Sequence, residues 1–290
     1  MSDTASLAPR RRARLEGRVM ILGCGAQKAG STWMFDHLAR NPAVRRSPVK
    51  EMNFFTAWLQ PSRFGFHEHR FAAQLAASDD AGIDKAARAR LAARVEMSGD
   101  RAAYLRWFAR RGLKRSHMME MTPCYALLGE EELRFVRAHF EAAGVIVRPL
   151  LLLRDPVARI VSHHRSARKA FGQGYNPDRG LLLNLAGGEQ LRRSRYDLTL
   201  ARLFRVFGEE AVTVCFYERL FDPADPHLAE VERALGLSPL PPLLERRINP
   251  SPETPAPPAA LLAALRRRLR PAYRFVAEHY GPAAPAAWGG

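Results

Sequence analysis

The stretch Val19-Met20-Ile21-Leu22-Gly23-Cys24-Gly25-Ala26-Gln27-Lys28-Ala29-Gly30-Ser31-Thr32-Trp33 constrains this chain more than any other. An apolar run, a glycine-bearing turn and two adjacent hydroxyl residues predict a strand, a loop and the start of a helix. Such a junction is a phosphate cradle. The first N–H groups of a helix have no intrahelical acceptor, and the helix dipole favours an anion beside them. The position of the lysine narrows the ligand. A Walker A loop needs Gly, four residues, Gly, Lys, then Ser or Thr. Gly25 and Gly30 keep that spacing, but Ser31 occupies the lysine slot and Lys28 precedes the second glycine. The loop therefore predicts phosphate binding of a kind other than ATP or GTP with Mg²⁺.

A second junction follows the apolar run Val145–Leu153, which lies between Gly144 and Arg154 and predicts a buried strand. Asp155 then Pro156 is an N-cap followed by proline at the first helical position. Arg154 thus falls at the carboxyl end of a strand, where ligands bind in open α/β sheets. Ser162 lies about two turns into the helix. Further helices are predicted over Ser31–Arg40, Glu130–Ala143, Tyr196–Phe207 and from Pro223 to Leu235, with a strand at Ala211–Phe216. Leu261–His279 predicts a helical segment interrupted at Pro271. Arg70–Arg111 predicts two or more helices on the substrate side, and the glycines and Pro177 of Gly172–Gly188 predict a loop near the acceptor. Strands alternating with helices predict an α/β fold, a parallel sheet with helices on both faces.

Four segments, taken in order, resemble the sulfotransferases that use 3′-phosphoadenosine 5′-phosphosulfate (PAPS). Lys28-Ala29-Gly30-Ser31-Thr32-Trp33 resembles their 5′-phosphosulfate loop, K-[ST]-G-T-T-[LW]. The segment from Arg154 to His164 is similar to their 3′-phosphate motif, R-[DN]-P-x-x-R-x-x-S-x-[HY], with Arg154 and Ser162 at its phosphate-binding positions. Val49-Lys50-Glu51-Met52-Asn53-Phe54-Phe55 resembles the K-E-x-x-[FY]-[FW] segment of the heparan-sulfate-type and bacterial branch, where the glutamate is the proposed base. Met119-Glu120-Met121-Thr122-Pro123-Cys124-Tyr125 resembles G-E-K-[TS]-P-x-Y, with Met119 in place of the glycine and Met121 in place of the lysine. These departures bear on the acceptor class. Near the end, Arg247-Ile248-Asn249-Pro250-Ser251 resembles an R-x-N-x-S turn that lies near the nucleotide. The resemblance spans about Val19 to Tyr280.

The resemblance implies a P-loop-like three-layer fold with a central parallel sheet flanked by helices, PAPS as co-substrate and no metal. It assigns Lys28, Ala29, Gly30, Ser31 and Thr32 to the 5′-phosphosulfate, Arg154, Ser162 and Arg247 to the nucleotide, and Glu51 to the acceptor proton. Trp33 has two readings, an adenine stack and a core helix residue. His163 and His164 are competing bases ranked below Glu51, and His67 and His69 are candidates for the acceptor side. The acceptor, a small molecule or carbohydrate bearing a hydroxyl or amine, stays open, as does the oligomeric state.

Lys and Arg number 45 against 29 Asp and Glu, a net charge of +16 carried almost wholly by arginine. Basic chains bind anions in general, but no zinc-finger, RNP or helix-turn-helix signature points to a specific nucleic-acid partner. Residues 1–17, with Arg10, Arg11, Arg12 and Arg14, are expected to be a basic flexible tail, and 18–290 a single domain. No apolar run of signal-peptide or membrane-spanning length occurs, so a cytoplasmic protein is expected. Cys24, Cys124 and Cys215 form no CxxC pair and no zinc set. Cys24 and Cys215 are expected in the core, and Cys124 packed near the site. Two other readings stay open: a P-loop kinase or nucleotide-binding enzyme, opposed by the lysine position, and a non-catalytic polyanion-binding protein, which would be indifferent to Glu51.

Overall fold

Val19–Gly25 forms β1, the middle strand of a five-stranded sheet in this computed structural model. The structure describes residues 8–78, 82, 84–110, 115–171, 176–243 and 256–288. The other strands are β2 (Val44–Arg46), β3 (His117–Met121), β4 (Ile146–Leu153) and β5 (Thr213–Phe216), in the order β2-β3-β1-β4-β5. Every pairing is parallel; Val19 lies opposite His117 on one side and Ile146 on the other. Helices flank the sheet, giving the α/β three-layer architecture expected. The chain runs from β1 to one side of the sheet, then crosses β1 to place β4 and β5 on the other. Ligands bind at such a switch point, outside the carboxyl ends of the strands.

β1 and the second half of β4 are apolar without alternation because helices cover both faces. Met20, Ile21, Leu22 and Cys24 of β1 and Leu150, Leu151, Leu152 and Leu153 of β4 are fully buried. Truncating Leu152 to alanine is expected to cost about 2–5 kcal/mol of stability, measured as a lower denaturation midpoint at unchanged slope.

Most helices fall where the sequence predicts them, including Ser31–Leu38, Glu130–Glu141, Pro156–Phe171 and Tyr196–Phe207. The Arg70–Arg111 stretch holds two complete helices, Lys85–Gly99 and Ala102–Phe108, and the end of a third, Phe66–Ala76.

Three expectations need correction. Residues 8–17 are not tail-like: Pro9–Arg12 is a helical turn, Leu15 is fully buried, and the Gly17 N–H donates to the Gly144 carbonyl. The 172–188 segment contains the helix Pro177–Leu185, while 172–175 lie outside the described residues. The Asn176 side chain caps that helix by accepting from the Asp178 and Arg179 N–H groups, and Leu181 is buried in a cluster with Ile160 and Leu265. Ala259–Tyr280 runs through Pro271 as one helix. Proline removes one N–H, but Leu265, Leu269, Ala272 and Val276 bury a continuous stripe that carries the helix past it.

Candidate active site

At the carboxyl edge of β1 the chain turns through Lys28 (φ 67°) and Gly30 (φ 81°) into the Ser31 helix. The left-handed region is open to glycine, and Lys28 enters it at a cost of about 1–2 kcal/mol. A side chain at position 30 would also meet Tyr217: an added Cβ would lie 3.1 Å from Cδ2. Lys28 Nζ donates to Ser166 Oγ at 2.6 Å. Burial and then the nearby Arg154 lower the Lys28 pKa, while Glu51 raises it.

The β4 junction meets this loop. Arg154 Nη1 donates to the Lys28 carbonyl at 3.0 Å, and its guanidinium lies 4.5 Å over the Tyr217 ring. Asp155 caps the Pro156 helix through the Ala158 N–H, as its sequence predicts. Arg159, in the same motif, is fully buried; it donates to the Gln27 and Gln190 carbonyls and to Ser194 Oγ. This arginine ties the loop after β1 to the Glu189–Arg193 helix. Ser162, 4% exposed, shares with Arg154 a groove of about 480 Å³.

Glu51 sits in the loop after β2, with Lys50 Nζ 2.5 Å from its Oε1 and 43% of its side chain exposed. Glu51 (φ 54°) and Asn53 (φ 50°) both hold left-handed backbone, a strain that persists only where the surroundings impose it. The surroundings are visible. Glu51 N–H donates to the Met121 carbonyl, Asn53 Nδ2 to the Glu51 carbonyl, and Asn53 N–H to Thr122 Oγ1. Thr122 in turn donates to Glu120, whose fully buried carboxyl also accepts from Tyr125 and Tyr104. Burial pushes the Glu120 pKa up, against the pull of those three hydroxyls. Arg94 Nε holds the Met52 carbonyl at 2.8 Å. The helices of the 70–111 stretch thus buttress the Glu51 loop from below.

Cys124 and Arg193 meet beside this loop. Arg193 donates to Cys124 Sγ at 3.5 Å and pairs with Glu189, which also binds Arg63. Arg193 Nη1 and His67 Nδ1 are buried without hydrogen-bond partners among the described residues. His67 feels both Glu51 and Arg193, and burial first, then Arg70, lowers its pKa to about 4. His163 is held lower, to about 3, by burial and then by His164, Arg159, Arg193 and Lys28. His164 is buried, with Asn184 Nδ2 2.8 Å from its Nε2, and His69 is exposed. A weakly basic imidazole is a poor proton acceptor at neutral pH.

Trp33 stands apart from this group. It is 3% exposed, stacks on His37 at 5.0 Å, and donates Nε1–H to the Leu243 carbonyl. Burial favours the core reading. Ala29 and Ser31 are buried and Thr32 is half-buried. Arg247 and its turn lie outside the described residues. Sequence reasoning missed Ser166, Arg193 and the role of Glu120. Only Ser166 left a signal, one helical turn beyond Ser162.

Among the described residues, no group of three or more His, Cys, Asp or Glu side chains could hold a metal ion. No described helix is long and apolar enough to cross a membrane.

The Lys28 loop after β1 and Arg154 after β4 thus meet at the switch point of a parallel α/β sheet. The chain belongs to the sulfotransferase family, whose sequence profile matches residues 20–242. Its fold is similar to that of a sulfotransferase from Alicyclobacillus acidocaldarius, with a TM-score of 0.60 at 18% identity over 95% of this chain and 99% of that one. It also matches the sulfotransferase domain of the Synechococcus PCC 7002 olefin synthase (TM-score 0.43, 20% identity, 76% of this chain and 73% of that one). A third match is the sulfotransferase domain from the curacin biosynthetic pathway (TM-score 0.46, 17% identity, 80% and 77%). No curated protein matches the chain.

Proposed function

We propose that the protein transfers the sulfuryl group of PAPS to a hydroxyl or amine of a small-molecule or carbohydrate acceptor. The observation that carries the reading is the Arg154–Lys28 contact at 3.0 Å, which brings together two motifs 126 residues apart. The residues present suit a nucleotide with anions at both its 5′ and 3′ positions. Lys28 and the amides at Gly30, Ser31 and Thr32 would hold the 5′ side, and Arg154 and Ser162 the 3′-phosphate. Arginine suits that task because its fork can bind a phosphate through two bonds.

The donor supplies an activated sulfuryl group. As the acceptor oxygen or nitrogen bonds to sulfur, the S–O bond to the 5′-phosphate breaks. The ammonium of Lys28 and the loop amides stabilise charge on the departing phosphate. The Glu51 carboxylate takes the acceptor proton. Ser166 positions Lys28, and the Glu120 cluster positions Glu51.

The test is incubation with radiolabelled PAPS, a panel of phenols, alcohols, amines and sugars, and EDTA. The reading predicts labelled product and stoichiometric 3′-phosphoadenosine 5′-phosphate (PAP), unaffected by EDTA. Untouched PAPS beside Mg²⁺-dependent ATP turnover would refute it.

A further inference from the structure

Two more guanidinium groups line the groove that holds Arg154 and Ser162. Arg165 follows Ser162 by about one turn on the same helix, and Arg266 comes from the Ala259–Tyr280 helix. The Arg165 Nε is buried without a hydrogen-bond partner among the described residues. A buried donor left unmade is unfavourable and uncommon in native proteins, so it points to an absent acceptor. Among the described residues Arg266 is held in place without a carboxylate. It donates to the Trp288 carbonyl at 2.7 Å and lies 4.5 Å over the Tyr273 ring.

The acids nearby do not neutralise these groups. Among the described residues Asp155 is the one acid in the lining, and its oxygens accept from the Ala158 N–H and the Tyr273 hydroxyl. Glu218 acts on Arg154 at longer range, but its Oε1 accepts from the Asp155 N–H. Three arginines around one groove therefore carry more positive charge than the described residues balance. A phosphate monoester, with close to two negative charges and three acceptor oxygens, matches that surplus.

We infer that Arg165 and Arg266 join Arg154 and Ser162 in binding the 3′-phosphate of the donor. The C-terminal helix, which lies beyond the matched family segment, then helps to set donor selectivity. The inference rests on the PAPS reading above. Tyr273 links the two parts: its hydroxyl fastens the helix to Asp155 of the Arg154 motif at 2.8 Å, and its ring carries Arg266.

The experiment is calorimetric titration of the full chain and its Arg165→Ala, Arg266→Ala and Arg266→Lys variants with PAP and with 5′-AMP. Arg274→Ala serves as the control, since Arg274 is exposed on the same helix and pairs with Glu278. Each alanine substitution is expected to weaken PAP by ~10- to 100-fold, the span of one charged hydrogen bond, with 5′-AMP unchanged. Arg266→Lys should recover part of the loss and Arg274→Ala should lose nothing. Unchanged 5′-AMP binding shows that the variants are folded. Equal losses for PAP and 5′-AMP would overturn the inference. So would a wild-type preference for PAP that survives both alanine substitutions but not Arg154→Ala, which leaves the donor reading standing. A wild-type chain that binds PAP no better than 5′-AMP overturns both.

Discussion

Glu51→Gln is expected to lower the rate of sulfuryl transfer by about 10²–10⁴-fold, the usual worth of a positioned general base, while PAP affinity stays unchanged. The amide keeps the shape of the side chain but cannot take the proton. The backbone that presents it should survive, because Glu51 is held through its own N–H and carbonyl, by Met121 and Asn53. Burial holds the nearby imidazoles of His67, at about 4, and His163, at about 3, well below an ordinary histidine. Single-turnover rates with a screened acceptor, or with water as acceptor, measure the effect. A variant with wild-type turnover would move the proton to another group. A variant that also lost PAP binding would make Glu51 a structural residue of the loop.

Lys28→Ala is expected to lower turnover by about 10²–10³-fold, the loss seen when one preorganised donor to a developing oxyanion is removed. The ammonium is well placed for that role. It is drawn into a partly buried site, fixed on Ser166 at 2.6 Å, and backed by Arg154, whose guanidinium grips the carbonyl of the same residue. Alanine leaves that carbonyl in place, so the loop should persist and PAP should bind more weakly rather than not at all. Rate and affinity measured together separate the two effects. An equal fall in both would mean that Lys28 binds donor and transition state alike.

The parts of the site legible in sequence are those in which one local segment does the whole job. Val19–Trp33 carries strand, cradle and helix in consecutive residues, and Arg154-Asp155-Pro156 carries a strand end, an N-cap and a first helical residue. The parts that were hidden depend on partners far along the chain. Glu120, on β3, meets Tyr104 of the Ala102–Phe108 helix, and Arg193 meets Cys124 across 69 residues. Nothing local to either residue announces those contacts. β3 is Met-rich and lacks the β-branched residues that signal a strand, and the burial of all five of its residues makes it one. β2 is three residues long, two of them arginines, and exists because it pairs with β3. Pro271 and Pro177 misled for a related reason: proline reports the loss of one backbone donor, not the buried stripe or the Asn176 cap that outweighs it. Trp33 was ambiguous because an indole suits both an adenine and a core, and only its burial favours the core.

The central claim is a donor site built for a 3′-phosphorylated nucleotide. Its most direct test is calorimetric titration of the wild-type chain with PAP, with ADP and 5′-AMP as competitors and no added Mg²⁺. The account predicts tight binding of PAP, much weaker binding of the other two, and loss of the preference in Arg154→Ala. Equal binding of PAP and ADP, or binding of ADP only when Mg²⁺ is present, would contradict it.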